Sequence, residues 1–169
     1  QGNTGYTYPN LTTAFTGDSN FLNNTTPSST LITLGSSSAA NAESQTFVAY
    51  AFHGVEGFSK FGSYEMNYNS DGSYVYLGFR PAFVMTKPID QAGSWSVYDN
   101  TRDPTNDGDA NMSQWDGITA ESGFAASAID FLSNGFKLRQ AGDGYSNIAS
   151  NTAIYMAFAE TPFKFSNAR

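Results

Sequence analysis

From residue 46 onward the chain is a series of short runs in which apolar and polar residues alternate, punctuated by Gly, Pro, Asn and Asp. That is the period of a pleated strand, and no segment sustains the 3.6-residue apolar spacing of a helix. SYVYLGF (73–79) alternates most cleanly, with Tyr74, Tyr76 and Gly78 opposite Val75, Leu77 and Phe79. RPAFVMTK (80–87) predicts a strand beginning at Pro81, because proline cannot donate inside a ladder. SWSVYD (94–99) places Trp95, Val97 and Asp99 on one face. AIDFLSNGFKLRQ (128–140) predicts two strands joined about Asn134–Gly135. TAIYMAFAETPFKF (152–165) predicts a long closing strand. TFVAYAF (46–52), with Phe47, Ala49 and Ala51 opposing Val48, Tyr50 and Phe52, predicts a strand buried on both faces. Between these runs, TRDPTNDGDANMSQWDG (101–117) reads as an acidic loop. ITAESGFAASAI (118–129) is the best helical candidate, though short and interrupted by a glycine. The expected fold is all-β, an antiparallel two-sheet sandwich of jelly-roll type over residues 46–169.

Two features add to this outline. FVAYAFHGVEGFSKF (47–61) and IYMAFAETPFKF (154–165) echo one another, which suggests strands that neighbour or face each other. Residues 1–45 differ from the rest, being Ser, Thr, Asn and Gly with sparse apolar anchors such as Tyr6, Tyr8, Phe15 and Phe21. They predict an extended N-terminal arm or linker, with SSSAANAES (36–44) as an exposed loop. Such an arm is either loosely held or laid across a neighbouring subunit.

Composition narrows the setting. The 169 residues suit one domain; aromatics reach 15% and charged residues only 14%, which points to an extracellular or virion-surface protein. The net charge is −7, and the basic residues Lys60, Arg80, Lys87, Arg102, Lys137, Arg139, Lys164 and Arg169 are scattered. Nothing there would neutralise a row of phosphates, so nucleic acid is not an expected partner. No apolar run approaches the roughly 20 residues of a membrane-spanning helix, so no membrane insertion is expected. With no cysteine, disulfides and thiolate chemistry are excluded. The start at Gln1, without a basic leader, is read as a processed terminus or a piece of a longer chain.

Candidate chemistry is sparse. The single histidine, His53, follows an apolar run and has no G-x-S-x-G partner motif, so a satisfied structural role is expected. Glu56, Glu65, Asp99, Asp103, Asp130 and Glu160 are carboxylates that a glycosidase would have to pair, but turn residues of this kind usually bind backbone amides. Glu160 is expected to hold an arginine or backbone. No catalytic residue is assigned. Asp103, Asp107 and Asp109, with Asn106 and Asp116 nearby, offer the hard oxygen ligands that Ca²⁺ takes, without the EF-hand spacing. Asn10, Asn23, Asn24 and Asn111 head acceptor sequons for N-glycosylation. Tyr64, Tyr68, Tyr74, Trp95, Trp115 and Tyr145 lie in or near turns, where aromatic rings can stack on sugars.

FVAYAFHGVEGFSKFGSY (47–64), DGSYVYLGFRPAFVMTKPID (71–90), WSVYDNTRDP (95–104), IDFLSNGFKLR (129–139) and IYMAFAETPFKFSNAR (154–169) together resemble a domain from tail-fibre and tail-tip proteins of aquatic bacteriophages, mostly of unknown function. The resemblance covers residues 46–169, and the ending PFKFSNAR looks like the true C-terminus of such proteins. It implies an oligomeric virion-surface or extracellular assembly without catalysis, and brings no site residues to transfer. Within these blocks Gly78, Pro81 and Gly135 are expected to punctuate strands, and Arg80, Asp99 and Arg102 to form a partly buried ion pair beside Trp95. The reading is a non-enzymatic phage structural protein (tail fibre, tail or capsid surface) whose partners are itself and other virion proteins. The alternatives are a carbohydrate-binding module for a host or matrix glycan and a subunit of an extracellular filament.

Overall fold

The computed structural model describes residues 3–108, 110–118, 120–124, 128–141 and 146–162. They form an all-β sandwich. One sheet has six strands: β3 (Ser59–Glu65), β5 (Pro81–Pro88), β6 (Ser96–Asp99), β7 (Ala110–Gln114), β8 (Ser122–Phe124) and β11 (Thr152–Ala159), in the spatial order β3-β11-β5-β6-β7-β8. Facing it is a three-stranded sheet, in the order β4 (Tyr74–Tyr76), β10 (Gly135–Leu138), β9 (Ile129–Leu132). A two-stranded ribbon, β1 (Gly5–Tyr6) with β2 (Thr16–Gly17), lies in the N-terminal segment. The strand pairings are antiparallel.

The core follows the alternation. Val75, Leu77, Ile129, Phe131, Phe136 and Leu138 point from the smaller sheet onto Tyr64, Val84, Tyr98, Met112, Ala153, Tyr155 and Ala157 of the larger one. Aromatic edges meet aromatic faces inside it, with the Phe136 ring 5.9 Å from Tyr64 and 5.7 Å from Tyr155, both near perpendicular. Two buried phenols are satisfied: Tyr64 donates to the Ser146 carbonyl at 2.8 Å, and the Tyr98 and Ser146 hydroxyls lie 2.6 Å apart. Burial pushes the Tyr64 phenol far above its ordinary range, so it stays a donor.

Several expectations hold residue by residue. Pro81 opens β5, and Val75, Leu77 and Phe79 point inward while Tyr74 and Tyr76 are exposed. The echoed segments meet only in part: Ser59–Phe61, the end of the first, pairs with Met156–Phe158 of the second, while its apolar run 47–52 forms no strand. The hairpin is present but turns through Ser133–Asn134, with Gly135 already paired to Leu132. Gly135 is needed for approach rather than for the turn, because a Cβ there would sit 2.1 Å from the Val75 carbonyl oxygen of β4.

Others are corrected. TFVAYAF (46–52) is not a buried strand: it has no strand assignment, and Phe47, Val48, Tyr50 and Phe52 are 48%, 77%, 83% and 64% exposed. β-propensity describes a fit to a pleated surface, and among the described residues no strand pairs with it. The acidic loop contains β7, anchored by the fully buried Met112. The helical candidate contains β8 instead, since Ser122 and Gly123 pair with Met112 and Asn111. The single described helix, α1 (Ser38–Asn41), lies in the expected exposed loop.

The start of the N-terminal arm is held on its own chain by backbone groups. The Phe15 amide donates to the Ile89 carbonyl at 2.9 Å, the Gly93 amide to Thr12 at 2.8 Å, and the Trp95 indole to Tyr8 at 2.8 Å. Beneath it Lys87 is wholly buried, and its ammonium donates to the Thr12 carbonyl at 3.0 Å and the Gly93 carbonyl at 2.5 Å. Burial lowers the Lys87 pKa, and the charge of Asp116 works in the opposite direction.

Candidate interaction surfaces

The larger sheet is apolar on its second face as well. Register sets Phe61, Met156, Met85 and Val97 in one row, and Phe158 beside Phe83 in the next. Phe158 is the hub of an aromatic cluster, with the rings of Phe58, Phe61 and Phe83 each 6.0 Å away and that of Phe52 at 6.5 Å. These rings are only half buried, and Phe52 leads from them into the exposed segment 46–52. A contiguous apolar patch of this kind on a polar chain is a candidate interaction surface.

The chain turns just before β3. The Val55 and Ser59 amides each donate to the other's carbonyl, at 3.0 and 2.9 Å, and the Ser59 hydroxyl donates to the His53 carbonyl at 3.0 Å. His53 therefore lies at a chain reversal, exposed, with Nδ1 3.0 Å from the Gly54 carbonyl. Beyond this reversal no backbone hydrogen bond ties residues 46–52 to the rest of the described residues. A cleft of about 260 Å³ opens beside the reversal, lined by Glu56, Lys60, Leu77 and Phe79 among others. Its one ammonium is committed, since Lys60 donates to the Tyr76 carbonyl at 2.7 Å and lies 5.1 Å from the centre of the Tyr76 ring.

The expected carboxylate candidates are spread over the fold. Glu160 pairs with Arg80 at 3.0 Å and accepts from Asn100 at 2.8 Å, as expected of it. Asp99 pairs with Arg102, which also reaches Glu121, so the expected trio is split between two ion pairs. Burial opposes the Asp99 charge, but the Arg102 amide, the Arg102 guanidinium and the Thr101 amide outweigh it and hold its carboxyl below the usual range. Asp130 pairs with Arg139 at 3.2 Å, and Glu65 accepts from Thr152 at 3.3 Å. Glu56 is exposed at the cleft.

In the acidic loop Asp103 is buried, and the Asp107 carboxylate accepts from Thr105 at 3.0 Å. Asp109 lies outside the described residues. Asn106 turns its side-chain amide onto β9, accepting from the Phe131 amide at 2.9 Å and donating to its carbonyl at 3.2 Å. Among the described residues no three acidic or histidine side chains converge on one point.

The aromatic candidates also divide. Tyr64 is a core residue, because its strand faces inward there, and this corrects its expected place in a turn. Trp95 is half buried, its indole committed to Tyr8. Tyr68, Tyr74 and Trp115 are exposed, while Tyr145 lies outside the described residues. Tyr76, which the sequence reading left out, joins Tyr74 on the outward face of β4, beside Lys137 opposite Tyr74.

No curated protein and no solved structure matches this chain. A family model does, over residues 2–162, taking in the N-terminal arm as well as the strands. The chain belongs to the family described as Domain of unknown function (DUF7483).

Proposed function

We propose that this protein is a non-enzymatic structural component of a phage virion, in a tail fibre, tail or capsid surface, and that it works by self-association. The observation that carries the reading is the exposed apolar run 46–52, continuous with the half-buried phenylalanine cluster around Phe158. Leaving such residues in water is unfavourable by about 25 cal/mol per Å² of apolar surface, and a subunit contact removes that surface. The resemblance of residues 46–169 to tail-fibre and tail-tip proteins supplies the setting, on a virion surface or otherwise outside the cell. Lack of catalysis is supported by the commitments of the carboxylates: Glu160, Asp99 and Asp130 are tied to arginines. Light scattering on the purified chain tests the reading. A defined or concentration-dependent oligomer is expected, and a monomer throughout the micromolar range overturns it. The same measurement in EDTA tests Ca²⁺, with loss of the oligomer expected if the acidic loop holds it.

A second reading, glycan recognition, rests on Tyr74 and Tyr76. Both rings stand outward on one strand, with Lys137 and Asp71 paired at 2.5 Å beside them. Aromatic faces flanked by charged hydrogen-bonding groups suit a sugar ring. Glycan-array binding that is lost in Tyr76→Ala would favour it over pure assembly.

A further inference from the structure

We infer that segment 46–52 of one copy adds as a strand to the β3 edge of a second copy, an inference that rests on the self-association reading above. The donor is an apolar, β-branched and aromatic run whose backbone amides and carbonyls lack a partner strand. Such a run gains main-chain hydrogen bonds and apolar burial together when it joins a sheet.

The acceptor follows from how the other edges are closed. On β9 the Asn106 amide occupies both the amide and the carbonyl of Phe131, and Arg80 adds a further bond to that carbonyl at 2.8 Å. On β4, which is 3 residues long, the Tyr76 carbonyl is taken by Lys60. β8 is short, at 3 residues. These are familiar ways of blunting an edge. β3 is the outer strand of the larger sheet, 7 residues long, and exposes Gly62 and Ser63. Its outward caps lie at its two ends, where Ser59 exchanges backbone hydrogen bonds with Val55 and the Ser73 hydroxyl donates to the Glu65 carbonyl. Between Phe61 and Ser63 the edge carries no cap among the described residues.

One molecule therefore presents both an unpaired apolar strand and an unpaired edge. The reversal at Val55–Ser59 brings the strand back toward its own β3, and yet the two do not pair. With the short route open and unused, a second copy is the complementary partner: it carries the same strand and the same edge. Phe52 already lies against Phe61 of β3 and Phe158 of β11, so the exchanged strand would extend the phenylalanine cluster across the contact.

The chain has no cysteine, so engineered thiols report without background. Full-length double variants Ala51→Cys with Ser63→Cys, and Ala49→Cys with Ser63→Cys, cover neighbouring registers, since opposed strand residues lie within disulfide range. After mild oxidation, an interchain bridge in at least one variant is expected, seen as a covalent dimer or ladder without reductant. A Val48→Asp/Tyr50→Asp background should weaken self-association at least tenfold and remove the bridge, with the far-UV circular dichroism unchanged. An intrachain bridge overturns the inference, because the strand then closes on its own β3. An oligomer by light scattering that forms neither bridge overturns it too, while leaving self-association standing. A monomer overturns both.

Discussion

SYVYLGFRPAFVMTK (73–87) and TFVAYAF (46–52) draw on the same residue types, Val, Phe, Tyr and Ala, and meet opposite fates. The first enters two sheets: Val75 and Val84 are buried against each other's layer, with Tyr74–Tyr76 paired to β10 and Pro81 onward paired to β11. The second has the propensity and none of the pairing, and its valine, Val48, stays exposed. The difference is supplied by partners rather than by composition. A strand is stable in proportion to the ladder and the face it joins, and a lone run of apolar residues specifies neither.

The sharpest test makes one substitution in both regions. Val84→Asp places a carboxylate in the core with nothing to pair it and should cost more than about 4 kcal/mol, enough to unfold a domain of ordinary stability. Val48→Asp should change stability by less than about 0.5 kcal/mol, in the range of surface substitutions. Urea unfolding of the isolated subunit reads both; a large loss at Val48 would mean that the segment is already part of the folded core.

Gly135→Ala comes next. Its Cβ would meet the Val75 carbonyl, a backbone atom, at 2.1 Å, so β4 and β10 must part. A loss of about 1–3 kcal/mol is expected, in line with overpacked sites. A neutral result would show that the smaller sheet yields where the core is supposed to hold it.

The smallest effect is electrostatic. The Asp99 carboxyl is held below the ordinary range, so the native state binds its proton more weakly than the unfolded chain does. The stability this gives is present above the unfolded-state pKa and lost as pH falls through the native value. Asp99→Asn should therefore cost about 1 kcal/mol at neutral pH, since the pair is partly exposed, and should flatten the acid limb of the stability curve. An acid limb identical to that of the parent would assign that pH dependence elsewhere.

Legibility in the sequence follows the same division. Strands that bury one face announce themselves by alternation, which is why Val75, Leu77 and Phe79 were placed correctly, and proline marked the start of β5. β3 was obscured because two of its core-facing positions are Gly62, over which the Tyr155 ring lies, and Lys60. β7 hid among acidic residues, with Met112 as a deep anchor. The aromatic list missed Tyr76 and included Tyr64, because an outward and an inward tyrosine look alike until the register is known. The docking of the arm uses main-chain carbonyls, which carry no residue-type signal at all.

Lys87, closed over by Thr12 and Gly93, has a practical consequence. An acylating reagent can reach its amine only when the N-terminal segment lifts, whereas Lys137 on the outer face is partly exposed and held by the exposed Asp71. The labelling rate at Lys87, normalised to that at Lys137, is thus a clock for that opening, built into the chain and readable from the masses of the two peptides that carry them. Run on free subunits and on assembled material, it reports whether assembly holds the segment shut.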